Sequence, residues 1–554
     1  MKRRNLKHKE TLSPPKTPDL PSEEIFADQY NRPDVDSLSE NTALASFMAN
    51  NIYRENGIEP VINCLGTYTI IGGSIKLPEV NRAMEAASHN FAQMDEVADG
   101  IGNQLSELTG AEWGVVSAGC AAGLKLVTAA AVSGGDPEKL IRIPNLEGFE
   151  KNEVIVPLTS RNYYDHAVRN IGVKLITVAT LAELSRAINP KTALIYMVNG
   201  DASWTDAAMS LEKVSTIAKS NNVPILFDAA NEVLSFPPLH LKRGATVVAH
   251  SGGKSICGPQ SCGLLLGDKN LLMAAWQASS PHHGPCRDNK VDRDEMFGML
   301  AAVKFWKNNN LESTKRRWNE YINLINKRVE GIASVKTLVH SPTILSNLSY
   351  LAPEAVISWD PEVLHITGQE LADELGRTKP RIAVASGGGR WRDSSINGIS
   401  INTFGIQPGE EGIVADRVYQ VLSAKRSPKK KNLDDPLTDL SGTWKVDVSF
   451  FNSKFTHMLF IEQETNWIKG SHQSRYTMNS LSGTVEGNKL TLRSVIEMPG
   501  DTIIYSFTGE ISGDTISGSL FMGEYRSASF IATKDNRALK KQPIFVPSGA
   551  PLAS

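Results

Sequence analysis

Two residues near the middle of the chain have the types and places for cofactor chemistry. Asp228 follows the apolar run 223–227, and Lys254 follows a second run, 245–249, through His250-Ser251-Gly252-Gly253. Short apolar runs bounded by turn residues read as buried parallel strands. Open α/β sheets take ligands beyond the carboxyl ends of their strands, so acid and amine are expected in one crevice. A lysine amine can hold pyridoxal 5′-phosphate (PLP) through its aldehyde, and a carboxylate beside the ring nitrogen favours the protonated pyridinium. Either residue alone would read as a solvated charge or a helix cap. The Gly-Gly before Lys254 and a third apolar run after it, 263–266, turn the balance toward the cofactor.

The neighbouring elements are those such a pair needs. Val115-Val116 reads as a short strand, Ser117-Ala118-Gly119-Cys120 as a tight turn, and Ala121 onward as an apolar helix. A small-residue turn feeding a helix N-terminus offers free N–H groups and a favourable dipole to an anion. Helices are expected over 78–89, with Pro78 in the first turn, and over 101–108, stopped at Gly110. Strands are expected at 154–157, 174–178 and 193–198, with Asn199 ending the last of these in the same layer as Asp228 and Lys254. Ser210 is placed to cap a helix through Ser220. Strand and helix alternate from Val115 to Leu266, which implies a mostly parallel, helix-covered sheet.

The strings INCLGTYTIIGGS, ELTGAEWGVVSAGCAAGL, VPILFDAANE, HSGGKSICGPQSCGLLLG and IQPGEEGIVADRV, spread over residues 57–423, resemble the fold-type I PLP-dependent enzymes. The resemblance is to the group around bacterial selenocysteine synthase (L-seryl-tRNA(Sec) selenium transferase) and D-glucosaminate-6-phosphate ammonia lyase. It implies that Lys254 is the Schiff-base lysine and Asp228 the ring-nitrogen partner. It implies that the PLP phosphate sits at Ser117, Gly119, Cys120 and Ala121, mostly on backbone, with Ser251 in the cofactor set and Asn199 on the ring hydroxyl. The residue on the outer ring face is expected among Arg161, Tyr164 and His166, and Arg161 is chosen because it falls at a strand's carboxyl end. Arg381, with Arg390 and Arg392 competing, is expected to fork onto the substrate carboxylate. The basic loop holding His282, His283, Arg287 and Lys290 is expected to reach a partner subunit or the phosphate, and the protein to be at least a dimer.

The chain has 554 residues, a formal net charge of −2 and 41% hydrophobic content, as in a soluble globular protein of two or three domains. A near-neutral balance gives no general pull on nucleic acid or anionic membrane. Five cysteines without a CxxC pair supply neither a disulfide framework nor a metal site, and Cys257 and Cys262 read as packing residues. The adjacent His282 and His283 lack partners at ligand spacing, so no metal is expected. No apolar run spans a membrane, and the basic start has no apolar core behind it, so a cytoplasmic location is expected.

Composition divides the chain. A proline-rich, disordered arm is expected at 1–43, a PLP-binding large domain at 44–300 that opens on a helix over 44–54, and a small α+β domain at 301–424. A charged linker follows at 425–437, then short alternating strands at 438–537 forming an antiparallel barrel or sandwich of seven or eight strands, and a tail at 538–554. The expected function is PLP-dependent elimination on a small amino acid or amino-sugar acid, Lys254 serving also as base at Cα. Two alternatives stand beside it: a seryl-tRNA selenium transferase, for which no tRNA-binding surface is visible, and a non-catalytic binding protein on the same fold.

Overall fold

The structure is a computed structural model and describes residues 52–535 except 205, 310, 342–351, 389–394, 429–432 and 499. The expected arm, the start of the first helix, the tail, Arg390 and Arg392 lie outside the described residues.

The core opens on β1 (Val61–Asn63) and helix Pro78–Ser88, which packs along helix Arg293–Asn308. The strands of the large sheet follow in chain order as β2 (Trp113–Ser117), β3 (Glu153–Pro157), β4 (Lys174–Val178), β5 (Thr192–Val198), β6 (Ile225–Asp228), β7 (Val247–Ser251) and β8 (Gly263–Gly267). Their order in the sheet is β2-β8-β7-β6-β5-β3-β4. All neighbours are parallel except those of β8, which runs antiparallel to both β2 and β7. The antiparallel strand follows from the short Lys254 loop: fewer than a dozen residues join β7 to β8, too few for a parallel crossover.

Successive side chains of a strand face opposite sides of the sheet, and the two apolar cores record it. Val154, Val156, Leu194, Tyr196, Leu226 and Val247 belong to one core, and Ile155, Ile195, Met197, Ile225, Phe227 and Val248 to the other. The helix Met94–Thr109 stops where Gly110 takes φ 78°, and the helix Cys120–Ser133 lies against β8 and is buried along nearly all its length. Ser210 stands at the N-cap of helix Leu211–Ser220, but its hydroxyl makes no capping bond.

A separate core gathers around β9 (Lys336–His340), β10 (Glu354–Ser358), β11 (Arg381–Ala383), β12 (Ala385–Ser386) and β13 (Gly398–Asn402), backed by helices Leu311–Val329, Gly368–Arg377 and Glu410–Ser423. Strand β11 pairs in parallel with β1, stitching the chain's beginning to this unit. Beyond it, β14 (Gly442–Phe450), β15 (Ser453–Glu464), β16 (Trp467–Gln473), β17 (Met478–Glu486), β18 (Lys489–Met498), β19 (Asp501–Ser512), β20 (Thr515–Phe521) and β21 (Ala528–Lys534) close into an eight-stranded antiparallel barrel. Each strand pairs with its sequence neighbour, and β14 pairs with β21, so no edge is left. No helix among the described residues is long and apolar enough to cross a membrane.

Candidate active site

Asp228 ends β6 and is 4% exposed. Its Oδ1 accepts the Ala230 N–H at 2.9 Å and the Cys120 thiol at 3.8 Å, and its Oδ2 accepts the Tyr196 hydroxyl at 3.2 Å. Burial pushes the carboxyl above its ordinary value; the Ala230 N–H, the Lys254 charge and the Tyr196 and Cys120 donors pull it back only in part. A buried carboxylate in that balance is matched by a cation. Lys254, past the end of β7, donates from Nζ to Asn231 Oδ1 at 2.6 Å, and Nζ stands 5.6 Å from the centre of the Tyr164 ring. Asn231 lies three residues past Asp228, so one turn carries the acid and the tether of the amine.

The turn that could cradle an anion is built from backbone. Gly119, with φ 91°, is the N-cap of the helix beginning at Cys120, and the first N–H groups of a helix have no partner within it. A Cβ on Gly263 would lie 2.5 Å from the Gly119 carbonyl carbon and 2.6 Å from the Cys120 nitrogen, so only glycine lets β8 approach the turn. The Ser117 hydroxyl donates to the Gly119 carbonyl at 2.8 Å and braces the turn from inside. The loop after β1 closes the near side: the Leu77 N–H donates to the Cys257 carbonyl at 3.0 Å, and Gln260, with its amide suitably oriented, reaches the Gly253 and Gly72 carbonyls. Burial raises the Cys257 thiol to about 12, which keeps it protonated and unreactive.

Asp228, Lys254, Cys120 and Tyr164 therefore share one cleft, and their donor set fits PLP. An amine faces the partly offset carboxylate, the amine lies near an aromatic face, and free N–H groups wait at a helix start. Asn199 gives its N–H to the Asp228 carbonyl at 2.8 Å, which places it in the same layer. Ser251 ends β7 opposite Gly263, and Ala121 lies in the first turn of the cradle helix.

Two expected residues stand elsewhere. Arg161 is turned to the buried Asp165 and to Thr177 Oγ1 at 3.1 Å, because an uncompensated buried carboxylate claims the nearest guanidinium. Of the three candidates for the ring face, Tyr164 is the one beside Lys254, while His166 faces Asp501 at 3.4 Å. Arg381 begins β11 opposite Val61, and among the described residues no contact joins it to Lys254 or Asp228. The basic loop folds on its own surroundings: His282 meets the Trp276 carbonyl and Asp95, Arg287 the Ser280 hydroxyl, and Lys125 holds Asp288. Two site residues escape the sequence reading. Asn231 sits in plain view in DAANE; Tyr196 is signalled by a hydroxyl inside an apolar strand, where it needs a partner. Cys120 is expected for its backbone, and its thiol's bond to Asp228 is the part the sequence hides.

The family model for class-V aminotransferases matches residues 84–342. The D-glucosaminate-6-phosphate ammonia lyase of Salmonella typhimurium is 30% identical over 274 residues, 46% of this chain and 70% of that protein. An L-seryl-tRNA(Sec) selenium transferase of Hyphomonas neptunium is 24% identical over 283 residues, 46% of this chain and 58% of that protein. A solved structure of D-glucosaminate-6-phosphate ammonia-lyase superposes with a TM-score of 0.59 at 23% identity, covering 68% of this chain and 99% of the other.

Proposed function

The chain belongs to the family of D-glucosaminate-6-phosphate ammonia lyase, as a PLP-dependent enzyme of the class V aminotransferase type, and from that premise we propose that it carries out an elimination on a small amino acid or amino-sugar acid. PLP, when bound, supplies the sink for the electron pair released at the substrate Cα. The chain's own residues do the rest. Lys254 would hold the cofactor through its amine and would serve as the base for the Cα proton; Asn231 fixes the direction of its Nζ. Asp228 holds the proton on the ring nitrogen, oriented by the Tyr196 hydroxyl and the Ala230 N–H. The Cys120 turn would receive the phosphate, and the Tyr164 ring would cover one face. A leaving group on Cβ then departs.

The observation that carries this reading is the buried, partly compensated Asp228 across the cleft from a tethered Lys254. The chain is read further as cytoplasmic, as at least a dimer and as taking a small-molecule substrate; the exposed His283, Arg287 and Lys290 of the basic loop would reach the second subunit. The test is to incubate the PLP-loaded full chain with a panel of amino acids and amino-sugar acids, following ammonia and 2-oxo acid release. Racemisation or amino transfer on that panel, without ammonia, would overturn the elimination.

A further inference from the structure

The barrel reaches the neighbourhood of the site through one of its corners. The corner between β18 and β19 rests on the segment that carries Tyr164. Gly500 has φ 86°, and a Cβ there would lie 2.9 Å from the Asn162 carbonyl oxygen and 3.0 Å from Asp165 Oδ2. Next to it Asp501 Oδ2 stands 3.4 Å from both Arg169 and His166. Asp165, fully buried, is already held by Arg161 and Arg169, so Arg169 joins the barrel to the anchor of helix Asp165–Arg169.

Asn162 links this seat to the chemistry. Its carbonyl accepts the Asp165 N–H at 3.2 Å, and its side-chain oxygen accepts the Tyr164 N–H at 2.7 Å. Burial raises the Tyr196 phenol, the group that donates to Asp228, and the Asn162 side chain pulls it back in part. Burial raises the Tyr164 phenol, and Glu524, in the loop between β20 and β21, adds to the rise after Asp228 and Cys120. The solved ammonia-lyase is matched over 99% of its length by 68% of this chain, so about a third of this chain lies outside that match.

We propose that the barrel forms a wall of the active site, its Gly500–Asp501 corner seating residues 162–169 so that Tyr164 faces Lys254 and Tyr196 keeps its bond to Asp228. Gly500, Asp501 and Asn162 are positioning residues on this account. The steric seat at Gly500 matters more than the ion pair, because both Arg169 and Asp501 are one third exposed and such pairs hold little by themselves. The inference rests on the cleft being the PLP site.

The full chain is titrated with PLP as wild type, Gly500→Val, Asp501→Ala and Gly513→Val. Gly513 also has a positive φ but lies at the opposite end of the barrel with nothing around it, so it controls for strain in a turn. Gly500→Val is expected to weaken PLP binding about tenfold, as a displaced positioning group does. It should alter the visible circular dichroism of the bound cofactor and speed amide exchange across 162–169. Asp501→Ala should move all three the same way by about two- to threefold, as an exposed ion pair would; Gly513→Val should move none. Unchanged exchange and dichroism in Asp501→Ala and in a Gly500→Val protein whose barrel amides stay protected would overturn the proposal. Should Gly500→Val unfold the barrel, Asp501→Ala decides alone. Wild-type protein that binds no PLP would instead sink the reading of the cleft, while exchange at 162–169 without cofactor still tests the seat.

Discussion

Two buried polar clusters in this chain handle charge in opposite ways. In the cleft, Asp228 keeps three donors and a facing amine, and burial is only partly offset. In the barrel, His472 Nε2 and His457 Nδ1 meet at 2.9 Å under the Tyr505 ring, and burial drives the two rings to about 3 and about 4. The first cluster is arranged to receive an opposite charge; the second is stripped of charge. Burial therefore does not by itself mark a site. The cleft cluster lies at the carboxyl ends of parallel strands, where loops diverge and leave a crevice. The barrel cluster lies inside a closed ring of paired strands, where side chains from the wall fill the interior.

The sharpest way to break this contrast is Lys254→Ala. It should abolish the borohydride-reducible attachment of PLP and lower turnover roughly 10²–10⁴-fold, the scale of a lost acid–base group. A retained reducible adduct would mean that another lysine carries the cofactor. Asp228→Ala should lower turnover by about 10²–10³, as for one preorganised electrostatic contact, and weaken PLP while leaving the attachment possible. His472→Gln, equally buried in the barrel, should leave turnover and PLP affinity unchanged; a comparable loss there would erase the distinction.

The barrel pair should show itself in acid stability instead. A histidine whose folded value is depressed to about 3 takes up a proton in the unfolded chain as pH falls below 6.5, but not in the folded one. Its contribution is complete above pH 6.5 and is lost between 6.5 and about 3, by at most ~1.4 kcal/mol per pH unit for each such group. His457, lowered to about 4, and His250 in β7, lowered to about 3, act with the same sign. Amide-exchange or melting data on the barrel from pH 7 to 5 should show the decline, and His472→Gln should flatten it. The smallest effect separates Tyr164 from Arg161. Tyr164→Leu should weaken PLP by about 0.5–1.5 kcal/mol, the value of an aromatic stack. Arg161→Met should lower the melting temperature, since it removes one of the two guanidiniums on the buried Asp165.

The sequence by itself determined the strands that carry Asp228 and Lys254 to within two residues, and the small-residue turn before helix Cys120–Ser133. Those signals are local: an apolar run ends where burial ends, and a small-residue turn before a helix exposes N–H groups whatever surrounds it. It also foretold a sheet of mostly parallel strands and a later all-β unit, because side-chain period and turn spacing travel with the chain. Only the tertiary structure decided which of three neighbouring residues lies beside Lys254. Arg161, Tyr164 and His166 are equivalent by type and spacing, and the choice fell to Asp165, whose burial claims Arg161, and to Asp501, over three hundred residues away, which faces His166. Closure into a barrel rather than a sandwich likewise depends on β14 meeting β21, a pairing across the whole unit that no local pattern encodes. Long-range electrostatics and closure are properties of what the fold brings together, so they appear only once it has done so.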